Sequence, residues 1–314
     1  MSEIDEHEGF KRTFQNHKLT LGLSIPFDNK QENHIDFQEQ VVLAQQAERL
    51  GFTSLSVRDN PLYSPHLGQV STNYDPFVFL TYLSAFTSKI ALSTGSIVAT
   101  LRHPIHLAKS AASLDLLSNQ RLLLGMATGD RPFEFPAFKV NEEDLIERFQ
   151  TSIHSLRQLW ASHSPKISNS LFELYEDSGL QVLPKHKTIP MFATGYSKQS
   201  LSWIQEHMDG WLFYAQPFQE QKKLVEAWHH GTKRFKPFIN ILMIDLSENP
   251  NETVKVIKGG YRTGRKNLLQ ILKAYEAMNT NHIILRFTNT DRNLKELIDE
   301  VGTHIVPHFP PHTN

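Results

Sequence analysis

Three short segments of the sequence combine residue types that could bind a ligand or take part in catalysis. The first, Thr94-Gly95-Ser96, lies inside a run of apolar and β-branched residues where a strand is expected. A glycine within a strand often marks a bulge or a place where the backbone closely approaches a ligand. We therefore interpret Gly95 as a candidate ligand contact. The simpler alternative is a glycine that only fills a crowded interior.

The second segment, residues 193–203, joins a strand end, a glycine turn and a helix start. Thr194 and Gly195 end the predicted strand, and the helix is predicted to begin at Ser197. Backbone N–H groups at such a turn, together with the positive end of a helix, attract anions such as phosphate. The sequence thus predicts an anion-binding turn, although many α/β proteins have a similar turn without a ligand.

The third segment places Arg58 and Asp59 directly after a predicted strand. Catalytic side chains of α/β barrels come from the carboxyl ends of strands. An arginine there can orient an anion and a carboxylate can accept a proton, so these two are the candidate catalytic residues. The alternative is that they only pair with each other in a loop. Tyr63, Phe135 and Tyr214, at or near loop ends, are predicted to wall a substrate pocket.

All three segments belong to a regular alternation of short β-like runs and longer helical patterns. Such alternation is typical of parallel α/β architecture. Strands are predicted at residues 20–26, 54–58, 90–98, 121–128, 190–194, 210–214, 238–244 and 282–287. Eight strands with intervening helices favour the α/β class and a closed (β/α)8 TIM barrel. We expect residues 1–18 to form a polar N-terminal extension and residues 19–314 a single barrel domain.

Helix signals between the strands support this assignment. Asp36 is placed to cap a helix that Gly51 ends, and Pro104 suits the first turn of another. The alternation weakens after strand 4, where a helix at about 142–160 precedes the Ser/Pro/Lys-rich residues 162–170. We predict an insertion there. Its second part is either a lid over the catalytic end or a surface loop.

The composition limits the classes of function. The 314 residues are 39% hydrophobic and 21% charged, which is enough apolar material for a large core. A net charge of −1 provides no overall field that would attract nucleic acid or a membrane surface. The absence of cysteine excludes a disulfide framework and a thiol nucleophile, so redox chemistry requires a bound cofactor. No signal sequence or membrane span is recognised, and we expect a cytoplasmic protein.

Two further clusters contain residue types that bind metals or anions in other proteins. His103 and His106 are three residues apart, but no HExxH motif or suitably spaced carboxylate accompanies them, so no metal site is predicted. Residues 259–267 place three glycines and three cations before a predicted helix, as in many barrel phosphate sites. Arg262 and Arg265 either contact an anionic substrate or form a solvated face. The solvated face is the preferred interpretation.

Residues 94–140 contain an ordered set of motifs that, taken together, is specific. The motifs are Arg102-His103-Pro104, Ala108-Lys109, Leu114-Asp115-Leu116-Leu117-Ser118, Arg121 to Gly125, Gly129 and Glu134-Phe135. This set resembles the bacterial luciferase-like family of flavin-dependent monooxygenases and oxidoreductases. The resemblance extends more weakly from the first strand to the sequence VPHF near the carboxyl end.

The resemblance implies an enzyme that oxidises a small organic substrate with reduced FMN supplied by a separate NAD(P)H-dependent flavin reductase. It implies a cis peptide bond between Gly95 and Ser96 beside the flavin ring, and a flavin phosphate at the turn after strand 5. The implied cofactor-binding residues are Thr94, Gly95, Ser96, Thr128, Gly129, Thr194, Gly195, Tyr196, Ser197 and Lys198. Members of the family usually pair through helices beside strands 3 and 4, so a homodimer is expected.

Two positions depart from the family pattern. Thr128 stands where luciferase has an arginine that holds the phosphate, and Asp59 stands where it has a catalytic histidine. Arg131 is near enough in sequence to supply the missing charge. Three alternatives therefore stay open: a deazaflavin-dependent oxidoreductase of the same superfamily, limited to hydride transfer; a flavin-binding protein without turnover; and a flavin-free barrel that binds a phosphorylated substrate at residues 259–267.

Overall fold

The structure, a computed structural model, describes residues 3–27, 36–64, 74–288 and 292–312. The strands are β1 Thr20–Ile25, β2 Ser54–Val57, β3 Ala91–Val98, β4 Leu122–Ala127, β5 Met191–Thr194, β6 Gly210–Tyr214, β7 Phe238–Leu246, β8 Lys255–Ile257, β9 Gly260–Thr263 and β10 His282–Phe287. Strands β1 to β7 pair in order and in parallel, and β10 pairs with both β7 and β1. The predicted eight-stranded TIM barrel is confirmed, with each strand within two residues of its predicted bounds.

Helices surround the barrel. They are α1 Glu8–Thr13, α2 Phe37–Arg49, α3 Pro76–Ser84, α4 Pro104–Leu117, α5 Glu134–Ala137, α6 Leu145–Ala161, α7 Leu201–His207, α8 Phe218–Gly231, α9 Arg265–Ala277 and α10 Leu294–His304. The predicted cap of α2 is confirmed, since Asp36 accepts hydrogen bonds from the N–H groups of Gln38 and Glu39. Gly51, at φ 90°, follows the helix end. Among the described residues, no helix combines the length and hydrophobicity that a membrane span requires.

The pair β8 and β9 corrects the interpretation of residues 259–267. Instead of a loop, part of this segment forms β9, which pairs antiparallel with β8 and lies along the end of β7. Arg262 donates to Asp245 at 2.9 Å, and Arg265 donates to Glu300 at 3.0 Å. Both guanidinium groups are therefore paired with carboxylates of other elements, although the Arg262 side chain is still 42% exposed to solvent.

The predicted insertion after strand 4 is confirmed. It begins with α5, continues through a 3-10 helix at Glu142–Asp144, and includes α6. The Ser/Pro/Lys-rich residues 162–170 then pack along the outside of α6. There Ile167 is buried and the Asn169 amide donates to the Ser155 hydroxyl at 3.1 Å. This part of the insertion is a surface loop on the flank of the barrel.

The amino-terminal segment closes the end of the barrel at which the strands begin. Ile4, Phe10 and Phe14 are buried among inward-facing apolar side chains of six strands. His7, in the same segment, is fully buried and lies 2.9 Å from the carboxylate of Asp115 in α4. The residues predicted as a polar extension thus supply part of the core.

A buried polar network crosses the barrel interior just above this plug. The imidazole of His282 lies 2.8 Å from the Thr20 hydroxyl and 2.8 Å from the Ser54 hydroxyl. Burial lowers the pKa of His282 to about 3, which keeps the ring neutral at physiological pH. The ring therefore links β10 to β1 and β2 by hydrogen bonds without introducing a charge.

His282 is expected to make the protein sensitive to acid. A histidine in the unfolded chain has a pKa near 6.5, so below that pH the unfolded state binds more protons than the folded state. Between pH 6.5 and 3, this difference should lower the free energy of unfolding by up to about 1.4 kcal/mol per pH unit. Urea unfolding at about pH 7 and about pH 5 measures the loss, which should be smaller in His282→Gln. An equal loss in both proteins contradicts the assignment.

Candidate functional site

A cavity of about 320 Å³ opens at the carboxyl ends of β2 to β6, where α/β barrels hold their active sites. It brings together twelve of the fifteen residues predicted for the site. These are Arg58, Asp59, Gly95, Ser96, Thr128, Gly129, Thr194, Gly195, Tyr196, Ser197, Lys198 and Tyr214. Asn60, Val98, Ala127, Asp130 and Arg131 also line the cavity, and of these the sequence analysis considered only Arg131 for a role in the site. The other four each directly neighbour a predicted site residue or end a strand.

The other three predicted residues do not line this cavity. Thr94 is fully buried, and its hydroxyl donates to the Gly125 carbonyl at 2.8 Å, tying β3 to β4. Phe135 packs in a small separate cluster with Val140 and Leu145 beneath the turn after β4. Tyr63 is 77% exposed on the loop after β2. Their proposed contacts with cofactor or substrate have no support from this placement.

The floor of the cavity is a bulge in β3. The pairing of β3 with β4 shifts register between Thr94 and Ile97, and the intervening Gly95–Ser96 peptide bond is cis, as the family resemblance implies. A Cβ on Gly95 would lie 2.7 Å from the Ser56 hydroxyl, so a side chain there would displace that hydroxyl. The Ser96 hydroxyl instead hydrogen-bonds the Thr194 hydroxyl. Bare backbone is thus presented to the cavity at this point.

The turn after β5 forms one wall. Gly195, Ser197 and Lys198 all have positive φ, at 55°, 45° and 57°. The backbone N–H groups of Tyr196, Ser197 and Lys198 donate no hydrogen bond to any residue within the described ranges. Successive N–H groups in such a conformation form a concave nest that binds anions. The Ser197 hydroxyl donates back to the Thr194 carbonyl at 2.8 Å and stabilises the turn.

The helix predicted to begin at Ser197 begins later. Left-handed residues cannot continue a right-handed helix, so α7 starts at Leu201. Its cap is Ser200, whose hydroxyl accepts from the Trp203 N–H at 3.2 Å. An anion at this segment would therefore be bound by the turn itself and not by the end of a helix.

The turn after β4, the neighbouring strand, forms the adjoining wall. Thr128 is buried and its carbonyl accepts from the Thr100 hydroxyl at 2.7 Å. Gly129 has φ 89°, and a Cβ there would lie 2.9 Å from the Val98 side chain. Arg131 donates to the Leu62 carbonyl at 3.1 Å, which joins this turn to the loop after β2. Gly129 is thus required both by its backbone angle and by its packing against Val98.

Asp59 pairs with a residue that sequence analysis did not consider as its partner. Arg102 donates to both carboxylate oxygens, at 2.9 and 2.8 Å, and the Val98 N–H donates to one of them at 3.2 Å. The same guanidinium also donates to Asp75 at 2.8 Å. The alternative in which Asp59 pairs with Arg58 is wrong. The motif Arg102-His103-Pro104 could have indicated this ion pair from the sequence, because it places a cation beside the same cavity.

We expect Asp59→Asn to destabilise the protein by about 2 kcal/mol. The variant leaves Arg102 without its buried, two-point carboxylate partner. The matched control is Asp75→Asn, which removes the 39%-exposed carboxylate from the same guanidinium and keeps a side chain that can cap α3. The free energy of unfolding of Asp75→Asn should fall by less than about 1 kcal/mol. Urea unfolding of both variants decides the question, and equal losses would contradict the prediction.

Arg58 differs from Asp59 in having no partner. It makes no hydrogen bond or ion pair with any residue that the structure describes. Burial, together with the positive charges of Arg286 and Arg131, lowers the pKa of Arg58 to about 10. The guanidinium is therefore still charged at neutral pH. A half-buried cation in this position favours an anionic ligand group.

Comparison with known proteins adds the family. The family model described as luciferase-like monooxygenase matches residues 19–241. An F420-dependent hydroxymycolic acid dehydrogenase of Mycobacterium tuberculosis is 27% identical over 59% of this chain and 51% of its own length. The oxygenase component of a flavin-dependent trigonelline monooxygenase of Acinetobacter baylyi is 29% identical over 40% of this chain and 34% of its own length. The chain thus matches about half, or less, of each relative.

Solved structures show the same fold. A monooxygenase from Streptomyces bottropensis superimposes with a TM-score of 0.78 at 18% identity, covering 92% of this chain and 99% of the other. An F420-dependent secondary alcohol dehydrogenase superimposes with a TM-score of 0.75 at 16% identity, covering 93% and 99%. The same barrel is therefore found both in a monooxygenase and in an F420-dependent dehydrogenase.

Proposed function

Because this chain belongs to the luciferase-like monooxygenase family, we propose that it is an FMN-dependent monooxygenase acting on a small organic substrate. The observation that carries the proposal is a single cavity that combines the bare backbone floor at Gly95 with the N–H nest at residues 196–198. A flat ring system fits the first feature, and a phosphate fits the second. FMN carries both groups.

Luciferase has an arginine at the position of Thr128 that holds the phosphate. The residues of this chain can hold FMN without that arginine. The nest supplies three N–H donors, and the exposed Lys198 supplies a positive charge beside them. A Cβ on Gly195 would meet no atom within 4 Å, so the cavity is open in front of the turn. We assign the phosphate to this turn and the ring to the β3 bulge.

Bound reduced FMN supplies two electrons and reacts with dioxygen, and the protein has to position the substrate and exclude water. Arg58 would hold a negative group of the substrate or cofactor, and Tyr214 would form part of the pocket wall. Asp59 would act indirectly, because its pair with Arg102 fixes the loop after β2 and so positions Arg58. Arg58 is then a binding residue and Asp59 a positioning residue.

We prefer oxygen chemistry to hydride transfer because the described part of the cavity offers no histidine as a base. Oxidation of an alcohol by hydride transfer needs a base for the hydroxyl proton. Among the described residues that line the cavity there is no histidine, and the carboxylates are Asp59, which is held by Arg102, and the exposed Asp130. The second candidate is a deazaflavin-dependent dehydrogenase, which relatives named as F420-dependent favour.

Anaerobic titration with reduced FMN and with coenzyme F420, followed by visible absorbance and fluorescence, tests the proposal. We expect saturable binding of reduced FMN, and oxygen consumption when a flavin reductase and NAD(P)H are added. Preferential binding of F420 would replace the proposal by the second candidate. Binding without turnover on any substrate would identify a carrier, and no binding of either cofactor would favour a flavin-free barrel.

Two partners follow as proposals. The separate NAD(P)H-dependent reductase is supported by the relative named as the oxygenase component of a flavin-dependent monooxygenase. The homodimer predicted from the family resemblance is tested by light scattering of the purified protein. A monomer would contradict it.

A further inference from the structure

The barrel interior changes from apolar to cationic toward its mouth. Alternate residues of a strand face the same side. On β10, His282 and Ile284 face inward, which makes Arg286 the next inward residue. On β2, Ser54 faces inward toward His282, and continuing the alternation places Arg58 inward at the mouth. Two arginines therefore stand in the uppermost layer, on strands separated only by β1.

The strand between them carries uncharged residues at its inward positions. A Cβ on Gly22 of β1 would lie 2.1 Å from the Ser54 hydroxyl, so this position faces inward, and Ser24 is the next inward residue. Continuing the strand register places Ser24 level with Arg286 and Pro26 level with Arg58, and neither residue supplies a counter-charge. The two cations are close enough for Arg286 to contribute to the lowered pKa of Arg58.

Neither of these two arginines has a carboxylate partner among the described residues, a feature they share with Arg121 and Arg148, whose guanidinium groups instead donate to backbone carbonyls. Arg102, Arg157, Arg262 and Arg265 each donate to a carboxylate at 3.0 Å or less. No hydrogen bond or ion pair joins Arg58 or Arg286 to any residue in the described parts of the chain. Two neighbouring, partly buried cations repel each other, and Asp130 attracts Arg58 less strongly than Arg286 repels it. An anion between them would remove that repulsion and receive two-point hydrogen bonds.

The cofactor phosphate is not the expected occupant. Its proposed site follows β5, and the barrel order places β5 three strands from β2 on one side and three strands from β10 on the other. The arginine pair thus lies across the mouth from the phosphate turn. Arg58 lines the cavity and Arg286 does not, so a ligand held by both would lie at the β2 edge of the cavity.

We propose that Arg58 and Arg286 form a subsite for an anionic group of the substrate, which is therefore a small organic acid. The proposal rests on the proposed function, because it assumes that the cofactor occupies the β3 to β6 side. A planar carboxylate suits the fork of a guanidinium best, and a sulfonate shares the same charge and acceptor oxygens.

Calorimetric titration with benzoate, benzenesulfonate and neutral benzamide, with and without bound cofactor, tests the proposal. We expect at least one of the two anions to bind about tenfold more tightly than benzamide. Arg58→Gln and Arg286→Gln should each abolish that preference. Arg49→Gln, the same change on the exposed side of α2, should leave it unchanged.

The outcomes separate this proposal from the proposed function. Equal binding of anions and benzamide by the unaltered protein, or a preference that survives in both variants, overturns the anion subsite even when FMN binds normally. Loss of FMN binding in Arg286→Gln also overturns it, by assigning this arginine to the cofactor. Failure of the unaltered protein to bind FMN or F420 overturns the proposed function alone, because the anion preference is measured without cofactor as well.

Discussion

Gly195→Glu is expected to weaken cofactor binding by at least about a hundredfold. The new side chain has open space, since a Cβ at Gly195 meets nothing within 4 Å, and the space is the cavity itself. A carboxylate there would lie beside the N–H nest and repel the phosphate that we place in it. Fluorescence titration with FMN measures the loss directly.

Gly195→Gln is the matched control, because it has the same size and the same backbone angle without the charge. Both variants must adopt φ 55°, which costs a residue with a Cβ about 1 to 2 kcal/mol. The free energy of unfolding should therefore fall equally in both, while only Glu abolishes binding. Equal affinities of the two variants would show that the phosphate is not at this turn.

Gly125→Ala is expected to lower the free energy of unfolding by at least about 3 kcal/mol and to weaken cofactor binding. A Cβ on Gly125 would lie 2.0 Å from the Thr94 carbonyl oxygen, a backbone atom in the middle of the barrel. β3 would have to move away from β4, and the Thr94 hydroxyl would lose its bond to the Gly125 carbonyl. The floor of the cavity, which is formed by β3, would be displaced as well, and cofactor binding would weaken for that reason.

Gly195→Ala is the comparison for this variant, since it makes the same change where the Cβ meets open space. It should cost only the strain of its left-handed backbone, about 1 to 2 kcal/mol. Urea unfolding and FMN titration of both variants provide the measurements. A Gly125→Ala protein with unaltered stability would show that β3 and β4 are less closely packed than the structure indicates.

The positions of the eight strands were determined by the sequence alone. Their signal is local: apolar runs such as residues 121–126, buried on both faces, are bounded by turn residues and separated by helical patterns. The capping of α2 by Asp36 was predictable for the same reason, because donor and acceptor are two and three residues apart. Most of the cavity followed as well, since the carboxyl ends of parallel strands meet at one end of a barrel.

Contacts between distant segments were decided only by the tertiary structure. Asp59 has Arg58 as its neighbour in sequence, yet it pairs with Arg102, which the fold brings to the same loop. The amino-terminal segment looks polar by composition, but in the folded protein Phe10 and Phe14 cover the apolar end of the barrel. Arg286 gave no signal of its own, because its significance depends on its position across β1 from Arg58. Pairings of this kind depend on strand order and register, which no local pattern of residue types contains.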